Sequence, residues 1–161
     1  MCNNSPAEST SPKYGNALIK KNISLNRYKQ IVSTLRFDKR SDRDKSDKIS
    51  PVRHLFEDFI RNCRRNYVPS EQVTIDEQLV TFRGRCSFRM YIPSKPGKCW
   101  IKIWTLCDAK NAYIFNWKVY CGKENGIQGF NQGVNVVKYL SMPLLKSGRN
   151  ITMDNFLLPF H

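Results

Sequence analysis

Apolar positions along the chain fall into three helical stripes and four strand-like runs. Residues 24–35 place Leu25, Tyr28, Ile31, Val32 and Leu35 at spacings of three and four, with Ser24 as a cap, which predicts a helix. Residues 38–48 mix five cations with four acids and read as a hydrated connector. A second helix is expected after Ser50 and Pro51, with Val52, Leu55, Phe56, Phe59, Ile60 and Cys63 in one stripe and Arg64 and Arg65 in the last turn. The periodicity then changes. Residues 72–82, 100–107 and 113–120 are β-rich, and residues 108–112 between the last two make a hairpin turn. Four glycines within residues 122–133 mark a loop. Val136, Val137, Leu140 and Leu144 predict a helix over 134–145, with Pro143 near its end, and residues 150–156 form a short buried strand. The order strand, strand, strand, helix, strand gives an α/β fold: a mixed sheet whose last strand runs parallel to an earlier one.

Length and composition narrow the function classes. At 161 residues with 40% hydrophobic and 12% aromatic residues, the chain fits one domain with a real core. The first residues, Ser-, Asn- and Pro-rich through position 16, predict a disordered lead and lack the basic start and apolar centre of a secretory signal. No apolar run approaches the ~20 residues of a membrane helix, so no membrane role is expected. Six cysteines, at 2, 63, 86, 99, 107 and 121, form no C-x-x-C pair and read as reduced thiols, with Cys99, Cys107 and Cys121 in the core. Trp100, Trp104 and Trp117 read as packing residues, and neither histidine has a partner for a metal site or triad. The glycines match no phosphate-binding loop, and no small-molecule substrate is evident.

Charge points to a polyanion. The chain carries 27 basic and 13 acidic groups, a net +14, and the excess is spread over both halves. Neutralising phosphates releases condensed counterions, so such a surplus favours nucleic acid. Between residues 83 and 102 six cations, Arg83, Arg85, Arg89, Lys95, Lys98 and Lys102, occur without one acid and with Phe88, Tyr91 and Trp100 among them. That stretch reads either as a DNA-contacting surface or as an ordinary solvated basic face.

Two acids stand where strands disfavour them. Asp76 lies within Val73-Thr-Ile-Asp-Glu-Gln-Leu and Asp154 within Ile151-Thr-Met-Asp-Asn-Phe, each with Thr two residues earlier and an apolar residue just before it. If the two strands are parallel neighbours joined by the helical crossover, the carboxylates stand side by side, and their repulsion calls for a cation between them. Hard divalent ions such as Mg²⁺ take such oxygen ligands, and paired ions serve phosphoryl transfer. The residues alone favour strand-end acids facing solvent or paired with nearby cations over a metal site.

Five segments occur in order: Thr74-Ile-Asp-Glu-Gln-Leu, Phe82-Arg-Gly-Arg-Cys, Tyr91-Ile-Pro-Ser-Lys-Pro-Gly-Lys, Ile101-Lys-Ile-Trp-Thr-Leu-Cys-Asp and Thr152-Met-Asp-Asn-Phe. Together with Leu35-Arg-Phe-Asp and Asp47-Lys-Ile-Ser-Pro-Val-Arg they resemble the piggyBac transposases and their transposable-element-derived relatives, over about residues 20–156. The resemblance implies a partial RNase H-like catalytic fold behind N-terminal helices, and Mg²⁺-dependent cutting and joining of DNA at TTAA sites in the nucleus. By motif match Asp76 and Asp154 correspond to the first two catalytic, metal-binding acids of a DDE site. It further implies a disordered lead at 1–19, a helical dimerisation and DNA-binding segment at 20–69 and a partial transposase domain at 70–161.

The departures shape the functional expectation. The family's third acid lies farther downstream than Asp154, which is seven residues from the last residue of this sequence, and the inserted domain and cysteine-rich tail of the family are missing. The expectation is therefore a truncated transposase-like protein that is not active alone and that dimerises with itself or a longer relative. A domesticated DNA-binding or dimerisation module, or a non-functional fragment, is the alternative. With fewer strands and helices to pack on, apolar side chains around Ile151, Met153, Phe156, Leu157 and Leu158 lose burial. At ~25 cal/mol per Å², several hundred Å² amounts to on the order of 10 kcal/mol, so marginal stability is expected.

Overall fold

A computed structural model describes residues 22–122 and 132–154. The predicted lead, most of the glycine loop and residues 155–158 of the final apolar run lie outside the described residues. Contacts divide the chain into two units between Lys39 and Arg40.

In the first unit, helix α1 (Leu25–Thr34) forms where the stripe predicts it. The Ser24 side chain accepts a hydrogen bond from the Arg27 N–H at 3.2 Å, satisfying one of the orphan donors of the first turn. Its apolar stripe is not buried within the unit: Ile31, Val32 and Leu35 are all exposed.

The second unit begins with a polar connector and enters helix α2 (Arg53–Arg65) through a 3₁₀ turn, Ser50–Val52. Ser50 does not cap α2 as predicted. The residue at the N-cap is Val52, which makes no side-chain cap bond. Asp47 organises this start instead, accepting from the Ile49 N–H at 3.1 Å and from Arg53 Nη2 at 2.6 Å. The Arg53 guanidinium holds the Asp47 carboxyl below its ordinary range. One face of α2 lies along β4: Phe56 stacks on Trp117 at 5.3 Å between ring centroids, Phe59 tilts against it at 5.4 Å, and Arg64 Nη2 donates to Asn116 Oδ1 at 2.7 Å.

Five strands follow: β1 (Gln72–Thr81), β2 (Met90–Tyr91), β3 (Cys99–Asp108), β4 (Ile114–Val119) and β5 (Asn150–Met153). Helix α3 (Gln132–Ser141), extended by a 3₁₀ turn at Met142–Leu144 where Pro143 ends the α-helical pattern, crosses between β4 and β5. β3 pairs antiparallel with β1 along one edge, and with β2 and then β4 along the other. β5 pairs with β1 in parallel, which is the mixed sheet expected from the element order. Strand β2 was not expected: two residues are too short to show alternation. It closes residues 82–98 into a hairpin finger, with Phe82 N–H bonded to Cys99 O and Ile92 N–H to Lys98 O. Gly97 is required there, because a Cβ would lie 2.5 Å from Thr81 Cγ2 and 2.8 Å from Trp100 Cζ2.

The core lies on one face of this sheet. Val73, Ile75, Trp104, Leu106 and Phe115 from the strands meet Val136, Leu140 and Leu144 from the α3 region, with Ile151 and Met153 packed against them. Alternation along β1 and β5 therefore sends Thr74, Asp76 and Thr152 to the opposite face.

Asp108 ties the sheet to the segment that leads into it. It closes β3 with 1% exposure and accepts hydrogen bonds from Ser70 N–H (2.6 Å), Ser70 Oγ (2.8 Å), Tyr67 Oη (2.8 Å) and Lys110 N–H (2.8 Å). The Ser70 N–H contributes most to holding this carboxyl far below the ordinary range, against the opposing effect of burial.

Candidate functional site

The parallel register of β1 and β5 sets Thr74 opposite Thr152 and Ile75 opposite Met153. The paired register ends there: Asp76 continues β1 after Ile75, while Asp154 is the first residue past the end of β5. The repeated Thr-x-Asp pattern is thus one feature on two neighbouring strands, which stand about 4.8 Å apart. Both aspartates are exposed, while the apolar residue before each, Ile75 and Met153, packs in or against the core. This explains the sequence pattern: the strand's alternation buries the hydrophobe and turns the acid outward.

Like charges held close at a protein surface repel, so carboxylates that share a site favour a cation between them. Their oxygens are hard donors suited to Mg²⁺, which commonly takes one or two carboxylates together with water and phosphate oxygens. Among the described residues no group of three or more His, Cys, Asp or Glu is arranged to hold a metal.

Two further side chains share the acid face. β3 places Thr105 directly opposite Asp76 and Cys107 directly opposite Thr74. Burial pushes the Cys107 thiol up, a hydrogen bond with Thr105 pulls it down, and the Asp76 charge pushes it up again. Cys99, Cys107 and Cys121 are all partly buried free thiols rather than fully enclosed ones. The sequence carried no signal for Thr105 beyond its position in a strand.

The structure distributes the six cations of residues 83–102 over the finger and its base. Arg83, Arg85, Arg89, Lys95 and Lys98 are exposed on the hairpin, with Arg89 Nη1 bonded to Gly84 O at 3.0 Å. Lys102 lies apart from them on β3, paired with Glu77 and placed 3.9 Å from the centroid of the Trp104 ring. The three tryptophans pack as expected: Trp104 is 6% exposed, Trp117 sits under α2, and Trp100 closes against Gly97. A cleft of about 500 Å³ lies between residues 69–72 and 147–150, at the other end of β1 and β5 from the acids. There the Arg149 guanidinium is engaged by the carbonyls of Pro69 and Ser70.

No helix among the described residues is long and apolar enough to cross a membrane. Comparison with known proteins gives two findings. A DDE transposase family model described as Transposase IS4 matches residues 8–161. A solved structure, the cryo-EM structure of piggyBac transposase in a synaptic complex with hairpin DNA, superimposes with a TM-score of 0.73 at 33% sequence identity. That alignment covers 92% of this chain and 36% of the transposase chain, so this chain spans about a third of its length. On both counts the chain belongs to the piggyBac-type DDE transposase family.

Proposed function

We propose that this chain carries the first part of an RNase H-like DNA-processing site, in which Asp76 and Asp154 hold a divalent metal next to a DNA-binding finger. The parallel register of β1 and β5, which pairs the residues just before the two acids, Ile75 and Met153, supports this above all else. Apart from the two-residue β2, three long antiparallel strands, a helical crossover and a strand parallel to the first are the element order expected for such a core. Membership of a DDE transposase family implies a divalent metal in general. Asp76 and Asp154 would hold Mg²⁺, and the chemistry such an ion supplies when bound is polarisation of a phosphoryl oxygen and activation of an attacking oxygen at neutral pH. The chain's own part is to present two acids at fixed spacing on a rigid sheet and to keep the apolar core behind them dry.

Pairing of this chain with itself or with a longer relative belongs to the same proposal. The solved relative is a synaptic complex with DNA, which supports DNA as the partner and more than one protein copy in the assembly. DNA as substrate implies work in the nucleus, and TTAA is the target sequence to test first.

Manganese titration followed by electron paramagnetic resonance tests the metal site, with Mn²⁺ standing in for Mg²⁺. Asp76→Asn and Asp154→Asn are each expected to weaken Mn²⁺ binding at least roughly tenfold, since even outer-shell partners of a metal commonly contribute that much. Binding unchanged in both variants, in protein that still folds, would refute the metal assignment.

The finger makes a separate prediction. Replacing Arg83, Arg85 and Arg89 together by Ala is expected to weaken binding to duplex DNA. It should also flatten the dependence of log K on log salt by about 0.9 for each phosphate that is no longer neutralised. Gel-shift measurements over a salt series, with and without a TTAA sequence, read both effects. An unaltered slope would remove the finger from the interface.

A further inference from the structure

Thr105 is a polar residue only 4% exposed, in the middle of β3. A buried hydroxyl is costly unless it is hydrogen-bonded, and this one has a particular partner. It stands directly opposite Asp76 in the antiparallel register, and its Oγ1 donates to the main-chain carbonyl of Asp76 at 3.2 Å. That carbonyl belongs to the peptide joining Asp76 to Glu77. The N–H of the same peptide donates to Asp76's own carboxylate, with 2.7 Å between Glu77 N and Asp76 Oδ1. Two hydrogen bonds therefore link the Thr105 hydroxyl to the carboxylate through one rigid, planar group.

Thr105 is itself held in place. Its neighbour on the other side is Trp117 of β4, whose ring is covered by Phe56 and Phe59 of α2. A β-branched side chain in a strand has restricted χ1 freedom, so its hydroxyl is directed rather than wandering. Trp117, Thr105 and Asp76 thus form a row across β4, β3 and β1.

We propose that Thr105 is a positioning residue for the metal-binding pair: its hydroxyl fixes the Asp76–Glu77 peptide and so aims the Asp76 carboxylate toward Asp154. This rests on Asp76 and Asp154 being the metal pair described above. Valine fills nearly the same space but cannot donate, so it leaves the peptide held by the backbone ladder alone. Serine keeps the donor and loses only a methyl group.

The test is Mn²⁺ titration of the full chain by electron paramagnetic resonance, with thermal unfolding recorded in parallel. Thr105→Val and Thr105→Ala are expected to weaken Mn²⁺ binding roughly tenfold, and Thr105→Ser to stay within about a factor of two of the parent, as for an outer-shell partner of a metal ligand. Where Val does not fold, the comparison of Ala with Ser decides. Equal weakening in Ala and Ser would assign the effect to the lost methyl and overturn the proposal. Folded Val and Ala variants that bind Mn²⁺ like the parent, while Asp76→Asn still loses it, would overturn the role of Thr105 and leave the metal pair standing. A parent chain that takes up no Mn²⁺, or whose uptake ignores Asp76→Asn, would overturn the metal pair and the role of Thr105 with it.

Discussion

Leu106→Ala is expected to destabilise the fold by about 3 kcal/mol, within the ~2–5 kcal/mol range of buried leucine truncations. Leu106 has no exposed surface and lies in the cluster where β1, β3 and β4 meet the α3 region. Truncation removes three methyl or methylene-sized groups from a site walled by strands on either side and a helix above, where little can collapse inward. The loss would be a large share of the ~5–15 kcal/mol by which whole domains are stable. Urea unfolding reads it as a lower midpoint with an unchanged slope. A loss under about 1 kcal/mol would mean that the sheet does not depend on packing against α3 at this position.

Asp108→Asn is expected to destabilise the protein near neutral pH and to lose that effect in acid. The Asp108 carboxylate receives four hydrogen bonds from donors at Tyr67, Ser70 and Lys110. An ionised carboxylate is purely an acceptor, whereas an asparagine turns two donors toward groups that are themselves donors. The folded protein holds this carboxyl below its ordinary range, first through the Ser70 N–H. A depressed carboxyl pKa stabilises the folded state above the unfolded value near 3.9, and that contribution fades as pH falls below it. The stability gap between parent and variant should therefore be full from about pH 5 to 7 and shrink below about pH 4. Denaturant unfolding at several pH values measures it. A gap of constant size down to pH 3 would show that the hub acts through shape and not through charge.

Much of the architecture was legible because it depends on local patterning. The stripe of residues 25–35 and the alternation of residues 72–81 each specify a face without reference to the rest of the chain. The beginning of α2 was not legible. Ser50 and Pro51 have the residue types of a helix start, yet the turn there is 3₁₀ and the stabilising acid is Asp47, farther back in the chain. Strand β2 was missed because its two residues pair only through the partner strand β3. Asp108 read as an ordinary turn residue, since nothing nearby in sequence shows that Ser70 and Tyr67 will reach it across roughly forty positions.

By itself, the sequence determined the order of the long helices and strands and the concentration of cations in residues 83–102. Side-chain periodicity and charge are properties of the chain alone. The family motifs also named Asp76 and Asp154 as a pair. Only the tertiary structure decided that β5 enters beside β1 in the register that sets Thr74 against Thr152, and that Thr105 takes the place on the other side of Asp76. It likewise separated Lys102 from the exposed cations of the finger, by giving it Glu77 and the Trp104 ring as neighbours. Strand pairing joins residues tens of positions apart, and its register is fixed by which faces must be buried, so it follows from the assembled core rather than from any one segment.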